Sequence, residues 1–156
     1  MTAQDIKKLL YKESVGRWNT KIAVDEIQLF SGTSDFVMID WNDQSREIEV
    51  KAAKYDLCNL EPKKRKWRSS VYMHSENYSP NFFYFCMPED LYAQTAQFIY
   101  NTWKFAGVLI VQDSKIITAK KPKRIHHKRL IPLNMTLIAR SLYWKRMRDM
   151  GIAYQT

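Results

Sequence analysis

The sequence predicts an α/β domain in which a mixed central β-sheet is flanked by helices. The order strand, helix, strand runs from Asn81 to Val111, a hairpin pattern spans Asp35 to Lys51, and an amphipathic segment precedes both. Strands that alternate with helices favour a sheet with helices on its faces. The chain of 156 residues fits a single domain, since it is long enough to bury a core but leaves little room for a second one.

The first two elements are an amphipathic helix and a strand. Apolar residues over Asp5 to Lys12 recur at helical spacing and predict a short helix. A first strand is predicted over Ile22 to Phe30, where period-two alternation puts Val24, Glu26 and Gln28 on one face.

The hairpin joins an apolar run, Phe36 to Ile39, to a strand of alternating charged and apolar residues, Arg46 to Lys51. The residues between them are turn formers. If the turn is centred on Asp43, Asp35 lies opposite Lys51.

The hairpin predicts two carboxylates and one ammonium on a single face. Residues i and i+2 of a strand point the same way, so Glu49 and Lys51 share a face, and antiparallel pairing adds Asp35. Magnesium uses one or two protein carboxylates and keeps positions for water and phosphate oxygens. The bound metal activates a water, and a fixed ammonium can orient that water. The alternative is a half-exposed hairpin with an ordinary cross-strand ion pair.

The second half begins with a strand and a helix. The nearly continuous aromatic run Asn81 to Met87 predicts a strand buried on both faces. A helix then begins at Pro88, with Glu89 and Asp90 in its first turn, and ends at Gly107. Its apolar stripe is predicted to be core and comprises Leu91, Thr95, Phe98, Ile99 and Trp103.

A second hairpin and a last helix complete the chain. Val108 to Gln112 is expected to pair with Lys115 to Ala119 through the turn Asp113-Ser114. Asn134 is expected to cap the last helix. The residues of that helix predicted to pack are Leu137, Ile138, Leu142 and Trp144.

The charge of the chain favours a polyanionic partner, since 25 Lys and Arg face 16 Asp and Glu, a formal net charge of +9. Two basic clusters carry much of the excess, one after the first hairpin and one, a flexible basic arm by its composition, after the second. The alternative for the first is a solvated basic face with its tryptophan in the core. The candidate nucleic-acid contacts are Lys54, Lys63, Lys64, Arg65, Lys66, Trp67, Arg68, Lys120, Lys121, Lys123, Arg124, Lys128 and Arg129.

Other site classes have little support. Cys58 and Cys86 lack metal-ligand spacing and are expected to be reduced thiols, and His126 and His127 lack partners at zinc spacing. No apolar run approaches the ~20 residues of a membrane span, and no signal-peptide pattern is seen. We therefore expect a cytoplasmic protein without a membrane partner.

These motifs occur in a characteristic order. Asp35 is followed by Glu49-Val-Lys51, the step Ala-Ala-Lys-Tyr-Asp56-Leu, a Lys/Arg cluster ending in Trp67, and an aromatic strand that ends in Pro-Glu89. Over roughly residues 22 to 120 the chain resembles the PD-(D/E)xK superfamily of restriction-endonuclease-like nucleases. It is similar to the small single-domain bacterial and phage members of the DNA-repair type.

The resemblance implies a restriction-endonuclease-like αβββαβ core with an added C-terminal hairpin and helix. Residues 1–156 would form one nuclease-like domain, with the core in 1–119, a basic arm in 120–133 and the C-terminal helix in 134–150. Some relatives with a single small domain act as homodimers, which is therefore a further expectation.

The resemblance also implies site residues. Asp35 and Glu49, with the backbone carbonyl of Val50, would bind Mg²⁺ or Mn²⁺, and Lys51 would position the water. Ser34 stands before Asp35 where the family has proline. The family often adds an acidic residue from the first helix or strand, for which Glu13 and Glu26 are both candidates.

The implied function is metal-dependent hydrolysis of DNA phosphodiester bonds in repair, recombination or phage DNA processing. We expect Lys51→Ala to remove cleavage while leaving folding and DNA binding. One alternative is a catalytically silent nucleic-acid-binding protein on the same fold. Another is a basic protein that binds an acidic protein partner.

Overall fold

The computed structural model describes residues 1–16, 18–30, 32–64, 79–130 and 132–151. Its helices and strands, in chain order, are α1 (Ala3–Gly16), β1 (Thr20–Gln28), β2 (Thr33–Asp40), β3 (Ser45–Val50), β4 (Phe82–Pro88), α2 (Glu89–Thr102), β5 (Gly107–Gln112), β6 (Lys115–Lys120) and α3 (Pro132–Asp149). A π-helical turn, Asp56–Leu60, and a 3-10 turn, Glu61–Lys63, follow β3.

Six strands among the described residues form one mixed sheet in the order β1-β2-β3-β4-β5-β6. The first three strands are an antiparallel meander, β3, β4 and β5 are parallel, and β6 returns antiparallel to β5. Helix α2 makes the crossover that a parallel β4–β5 pair requires. The predicted α/β class, with a mixed sheet flanked by helices, is confirmed.

One face of the sheet, here the α1 face, is covered by the first helix. Ile6 and Leu10 of α1 are fully buried and pack with Phe36, Ile48 and Val50 from the middle of the sheet. The helical spacing of these two residues therefore puts the apolar side of α1 on β2 and β3.

The other face, here the α2/α3 face, is covered by two helices that leave β3 between them. Leu91 and Ile99 of α2 pack on Phe83 and Phe85 of β4. Ile138 of α3 packs with residues of β1 and β2, namely Val24, Ile27, Val37 and Ile39. Between these two clusters β3 presents acidic side chains to the same face.

The register of the first hairpin differs from the prediction. Phe36 pairs with Ile48, whereas a turn centred on Asp43 would pair it with Val50. The turn tightens because the Asp40 carboxylate accepts the backbone N–H groups of Asn42 and Gln44. The shift of two residues along β3 leaves every side chain on its predicted face, because strand side chains alternate with period two.

Strand β1 breaks the predicted alternation. Glu26 has a φ of 49°, in the left-handed region, and on either side of it Val24 and Ile27 both pack on the α2/α3 face. The Glu26 side chain instead binds Lys7 of α1, with Nζ to Oε1 at 2.8 Å. The prediction that Val24, Glu26 and Gln28 share a face is therefore wrong.

The second helix ends earlier than predicted. Helix α2 stops at Thr102 and Gly107 begins β5, so the glycine does not end the helix. A Cβ added at Gly107 would lie 2.5 Å from a ring carbon of Tyr84, which explains a glycine there. The turn of the second hairpin is confirmed by left-handed φ values at Asp113 and Ser114, 49° and 59°.

The last helix differs from its prediction in two details. Helix α3 begins at Pro132, so Asn134 lies within the helix and does not cap it. Ile138 is fully buried, but Leu137 and Leu142 are each 38% exposed. No helix in the described ranges is long and apolar enough to cross a membrane.

Candidate active site

The site begins where β2 and β3 stop pairing. The β2–β3 pairing ends with Phe36 and Ile48. Beyond this pair, a side chain replaces the backbone as the partner of β3, because the Oδ2 of Asp35 accepts the N–H of Val50 at 2.9 Å. The N–H and C=O of one strand residue point to the same side, so the carbonyl of Val50 also faces the Asp35 side of β3.

Lys51 is the centre of a buried ion-pair cluster. Its side chain is 2% exposed, and its Nζ lies 3.6 Å from Glu49 Oε2, 3.1 Å from Asp56 Oδ2 and 2.7 Å from Glu61 Oε2. The structure thus brings together Asp35, Glu49 and Lys51, as the hairpin predicts.

Glu61 and Lys64 join this cluster, and sequence reasoning did not place them there. Lys64 Nζ binds the carboxylate of Glu49, and it lies 2.9 Å from Glu61 Oε2. Glu61, like Glu49, is fully buried. The available signal was an acidic residue directly before Pro62, at the start of a helical turn soon after Lys51.

The environment shifts the pKa of two groups in the cluster. Burial and the negative charge of Glu49 raise the pKa of Asp35 to about 6, although the Val50 N–H and the lysines partly oppose this. Burial lowers the pKa of the Lys64 ammonium, but the carboxylates of Glu49 and Glu61 outweigh burial and hold it above its ordinary value.

Ion pairs among the described residues join the carboxylates of Glu49, Asp56 and Glu61 to the ammonium groups of Lys51 and Lys64. Asp35 lies near Glu49, and the negative charge of Glu49 adds to the effect of burial in raising the pKa of Asp35. A divalent cation beside these carboxylates would stabilise their ionised forms.

The donor set fits magnesium or manganese. The described part of the chain contains no group of three or more His, Cys, Asp or Glu side chains that could hold a metal ion. Mg²⁺ needs only one or two carboxylates and fills its remaining positions with water and other oxygens. Asp35, Glu49 and the Val50 carbonyl supply that number and type of ligand.

The acidic candidates from the first helix and strand are not brought to the cluster. Glu26 points to α1 and its side chain is 61% exposed. Glu13 lies on α1, and the buried residues of this helix pack on the face of β3 opposite to Glu49. Glu61, from the turn after β3, is the additional carboxylate beside Glu49.

The first basic cluster is divided by the structure. Lys54 and Lys63 are exposed, and their role as phosphate contacts stays a prediction. Lys64 forms ion pairs with Glu49 and Glu61, and its predicted role as a phosphate contact is not tested by this geometry. The remaining members of this cluster lie outside the described residues, namely Arg65, Lys66, Trp67 and Arg68.

The second basic cluster is an ordered segment and not a flexible arm. The N–H groups of Lys123, Ile125 and Leu130 donate to the carbonyls of Phe105, Asn81 and Asp43, at 2.8, 2.9 and 3.1 Å. We call residues 121–130 the strap. The strap runs along the edge where β4 and β5 begin, whereas Glu49 lies near the end of β3.

Asn81 anchors the strap through a buried hydrogen-bond network. Its Oδ1 accepts the N–H of Ser45 at 2.8 Å, and its Nδ2 donates to the carbonyls of His126 and Lys128 at 3.0 and 2.8 Å. His126 Nε2 lies 2.9 Å from the carbonyl oxygen of Ser79. His126 therefore has a structural role.

Some cations of the second cluster contact the protein surface. Arg124 lies over the ring of Phe82, 4.8 Å from its centroid, and Lys120 Nζ lies 4.7 Å from the centroid of Tyr100. Lys120 also donates to the carbonyls of Trp103 and Lys104, and burial lowers its pKa. The other basic residues of the cluster are exposed: Lys121, Lys123, Lys128 and Arg129.

The buried ion pairs of Lys51 also contribute to the stability of the fold. Truncation of Lys51 would leave buried carboxylates without their shared ammonium, a change that typically costs about 3–5 kcal/mol. We therefore expect Lys51→Ala to lower stability as well as cleavage, whereas the sequence alone led us to expect that folding is spared.

Comparison with known proteins supports the fold and is silent on activity. No protein-family model and no curated protein matches the chain. A solved structure of SPO1766, a protein of unknown function from Silicibacter pomeroyi, is similar with a TM-score of 0.65 at 13% identity. The match covers 97% of this chain and 92% of the other.

Proposed function

We propose that this protein is a metal-dependent nuclease that hydrolyses DNA phosphodiester bonds. The observation that carries the proposal is the placement of Asp35, Glu49 and Lys51 around the end of the β2–β3 ladder, with Asp35 bound to the Val50 N–H at 2.9 Å. The PD-(D/E)xK resemblance names the same three residues. Exposed lysines at Lys54 and Lys63 give a DNA phosphate a basic approach to them.

The residues of the proposed site would have two separate roles, metal binding and orientation of the attacking water. Asp35, Glu49 and the Val50 carbonyl would hold Mg²⁺ or Mn²⁺, which lowers the pKa of a bound water and offsets charge on the phosphate. Lys51 would orient the attacking water and face the developing negative charge. The water oxygen bonds to phosphorus while one phosphorus–oxygen ester bond breaks; the water loses a proton and the departing oxygen gains one.

The test uses purified protein with single-stranded, duplex and branched DNA, in Mg²⁺, Mn²⁺ or EDTA. The decisive variant is Asp35→Asn, because an amide oxygen can still accept the Val50 N–H while the charge is removed. We expect cleavage that needs metal and falls at least about 100-fold in this variant, with DNA binding retained.

Asp25→Asn is the matched control. Asp25 is a half-buried carboxylate on β1 whose Oδ1 accepts the Tyr11 hydroxyl at 2.9 Å and the Lys145 ammonium at 2.6 Å. The same substitution there should leave cleavage within a few fold of wild type. Equal activity of Asp35→Asn and wild type would reject the proposed site.

The second candidate is a silent nucleic-acid-binding protein. The observation that favours it is that Glu49 and Glu61 are already bound by Lys51 and Lys64. Salt-sensitive DNA binding with intact DNA in every metal condition would select this function over the nuclease. A DNA partner, a cytoplasmic location and a homodimer remain parts of the proposal.

A further inference from the structure

We propose that Lys64 is a built-in competitor for the cation at the candidate site: its ammonium bridges Glu49 and Glu61, and a divalent cation displaces it. The inference rests on the proposed metal site but not on DNA cleavage. Glu61 would approach the cation only after Lys64 has left, since the described residues hold no preformed group of three acidic ligands.

The contacts of Lys64 place its ammonium between two buried carboxylates. Its Nζ binds Glu49 and lies 2.9 Å from Glu61, and both carboxylates are fully buried. Mg²⁺–oxygen distances are about 2.0–2.1 Å, so each carboxylate would move by less than about 1 Å to contact a metal instead of the ammonium. Two carboxylates that reach one nitrogen can therefore reach one cation.

The ammonium groups of Lys64 and Lys51 differ in how readily each can move away from the buried carboxylates. The Lys64 side chain is 35% exposed and follows a 3-10 turn whose Lys63 is exposed, so its ammonium can move into water. Lys51 is 2% exposed and lies near three carboxylates. Of the two ammonium groups, Lys64 is the one that a cation can replace.

Electrostatic repulsion prevents the Lys64 ammonium and a divalent cation from lying between Glu49 and Glu61 at the same time. A divalent cation between Glu49 and Glu61 would stand within a few ångströms of an undisplaced Lys64 ammonium, and like charges at such distances repel strongly in a buried site. Metal binding must then include the cost of breaking the Lys64 contacts. Removing the Lys64 charge should strengthen metal binding, although it removes a stabilising ion pair.

The experiment measures Mn²⁺ binding by calorimetry, without DNA, for wild type, Lys64→Met, Lys64→Arg and Lys63→Met. We expect Lys64→Met to bind Mn²⁺ about tenfold more tightly, a difference of about 1.4 kcal/mol. Lys64→Arg keeps the charge and should bind no more tightly than wild type. Lys63→Met removes an exposed charge from the preceding position and should change affinity by less than about twofold.

A second measurement, thermal unfolding, detects Mn²⁺ binding even in a variant of lower stability. The rise in unfolding temperature on adding Mn²⁺ reports binding to the folded state, and it should be larger for Lys64→Met than for wild type whatever the starting stability. Adding Glu61→Gln to Lys64→Met should reduce that rise.

The outcomes separate the two proposals. Equal or weaker Mn²⁺ affinity of Lys64→Met, with wild type still binding Mn²⁺, overturns the competitor role and leaves the nuclease proposal standing. An undiminished rise on adding Glu61→Gln overturns the role of Glu61. Absence of Mn²⁺ binding in both wild type and Lys64→Met overturns this inference and the metal-dependent function together.

Discussion

Two buried polar regions lie at opposite ends of the parallel strands, and they are built differently. The Asn81 network at the start of β4 is built on an amide, and three of the hydrogen bonds of that amide go to the backbone, at 2.8, 3.0 and 2.8 Å. The cluster around Lys51 at the end of β3 joins charged side chains. A neutral network with matched donors and acceptors stabilises a fold, whereas buried charge costs stability unless it is paired and hydrogen-bonded.

The largest effect expected is on the charged region. Lys51→Met should lower the free energy of unfolding by about 3–5 kcal/mol, because Glu49 and Glu61 lose a buried partner. Chemical denaturation checks this value. Adding Glu61→Gln should recover part of the loss, and purely additive effects of the two changes would show that they are not coupled.

The neutral region should respond nearly as strongly but with a different signature. Asn81→Ala should lower the free energy of unfolding by about 2–4 kcal/mol, since it removes the acceptor of the Ser45 N–H and the donor to two strap carbonyls. It should also expose the strap to trypsin under native conditions. A variant that resists trypsin as wild type does would mean that backbone bonds alone hold the strap.

A change that removes charge from the site should stabilise the protein. The pKa of Asp35 is raised from 3.8 to about 6, so the folded state binds its proton more tightly than the unfolded state. Ionisation therefore costs stability, a cost that is absent below about pH 4 and fully present above about pH 6.

In EDTA, Asp35→Asn should thus raise the free energy of unfolding by about 2 kcal/mol at pH 7 and by much less at pH 4. Denaturation at the two pH values checks this. A gain that does not depend on pH would assign the effect to packing and not to charge. Stabilisation combined with loss of cleavage is typical of a residue kept for function.

The smallest effect on stability is expected at the exposed surface of the strap. Replacing Lys121, Lys123 and Arg129 by Gln should change stability by less than about 0.5 kcal/mol but reduce the salt dependence of DNA binding. The control removes three other exposed lysines: Lys8, Lys12 and Lys115. Equal loss of binding in both triple variants would indicate a response to net charge alone.

The sequence predicted most of the fold because the elements carry strong local patterns. Period-two alternation defined β3, the aromatic run defined β4, and Pro88 with its acidic neighbours marked the start of α2. The left-handed φ of Glu26 and the Asp40 turn were not predicted, because non-glycine residues rarely adopt positive φ and the turn depends on a side-chain hydrogen bond.

The site was predictable only in part. Asp35, Glu49 and Lys51 come from adjacent strands, and the predicted register was wrong by two residues. A shift of two residues keeps each side chain on the same face of the sheet, so the predicted grouping of the three residues was not affected. Glu61 and Lys64 reach the cluster through a π-helical and a 3-10 turn. Neither turn has the periodicity that would have revealed which side chains fold back over β3.

The position of α3 has a consequence for the order in which the chain is synthesised. Val24, Val37 and Ile39 are covered by Ile138, and Asp25 is bound by Lys145. On the ribosome, β1 and β2 therefore emerge with an apolar surface that stays uncovered until more than half of the remaining chain is made. Folding of this domain should therefore finish only after translation has passed α3.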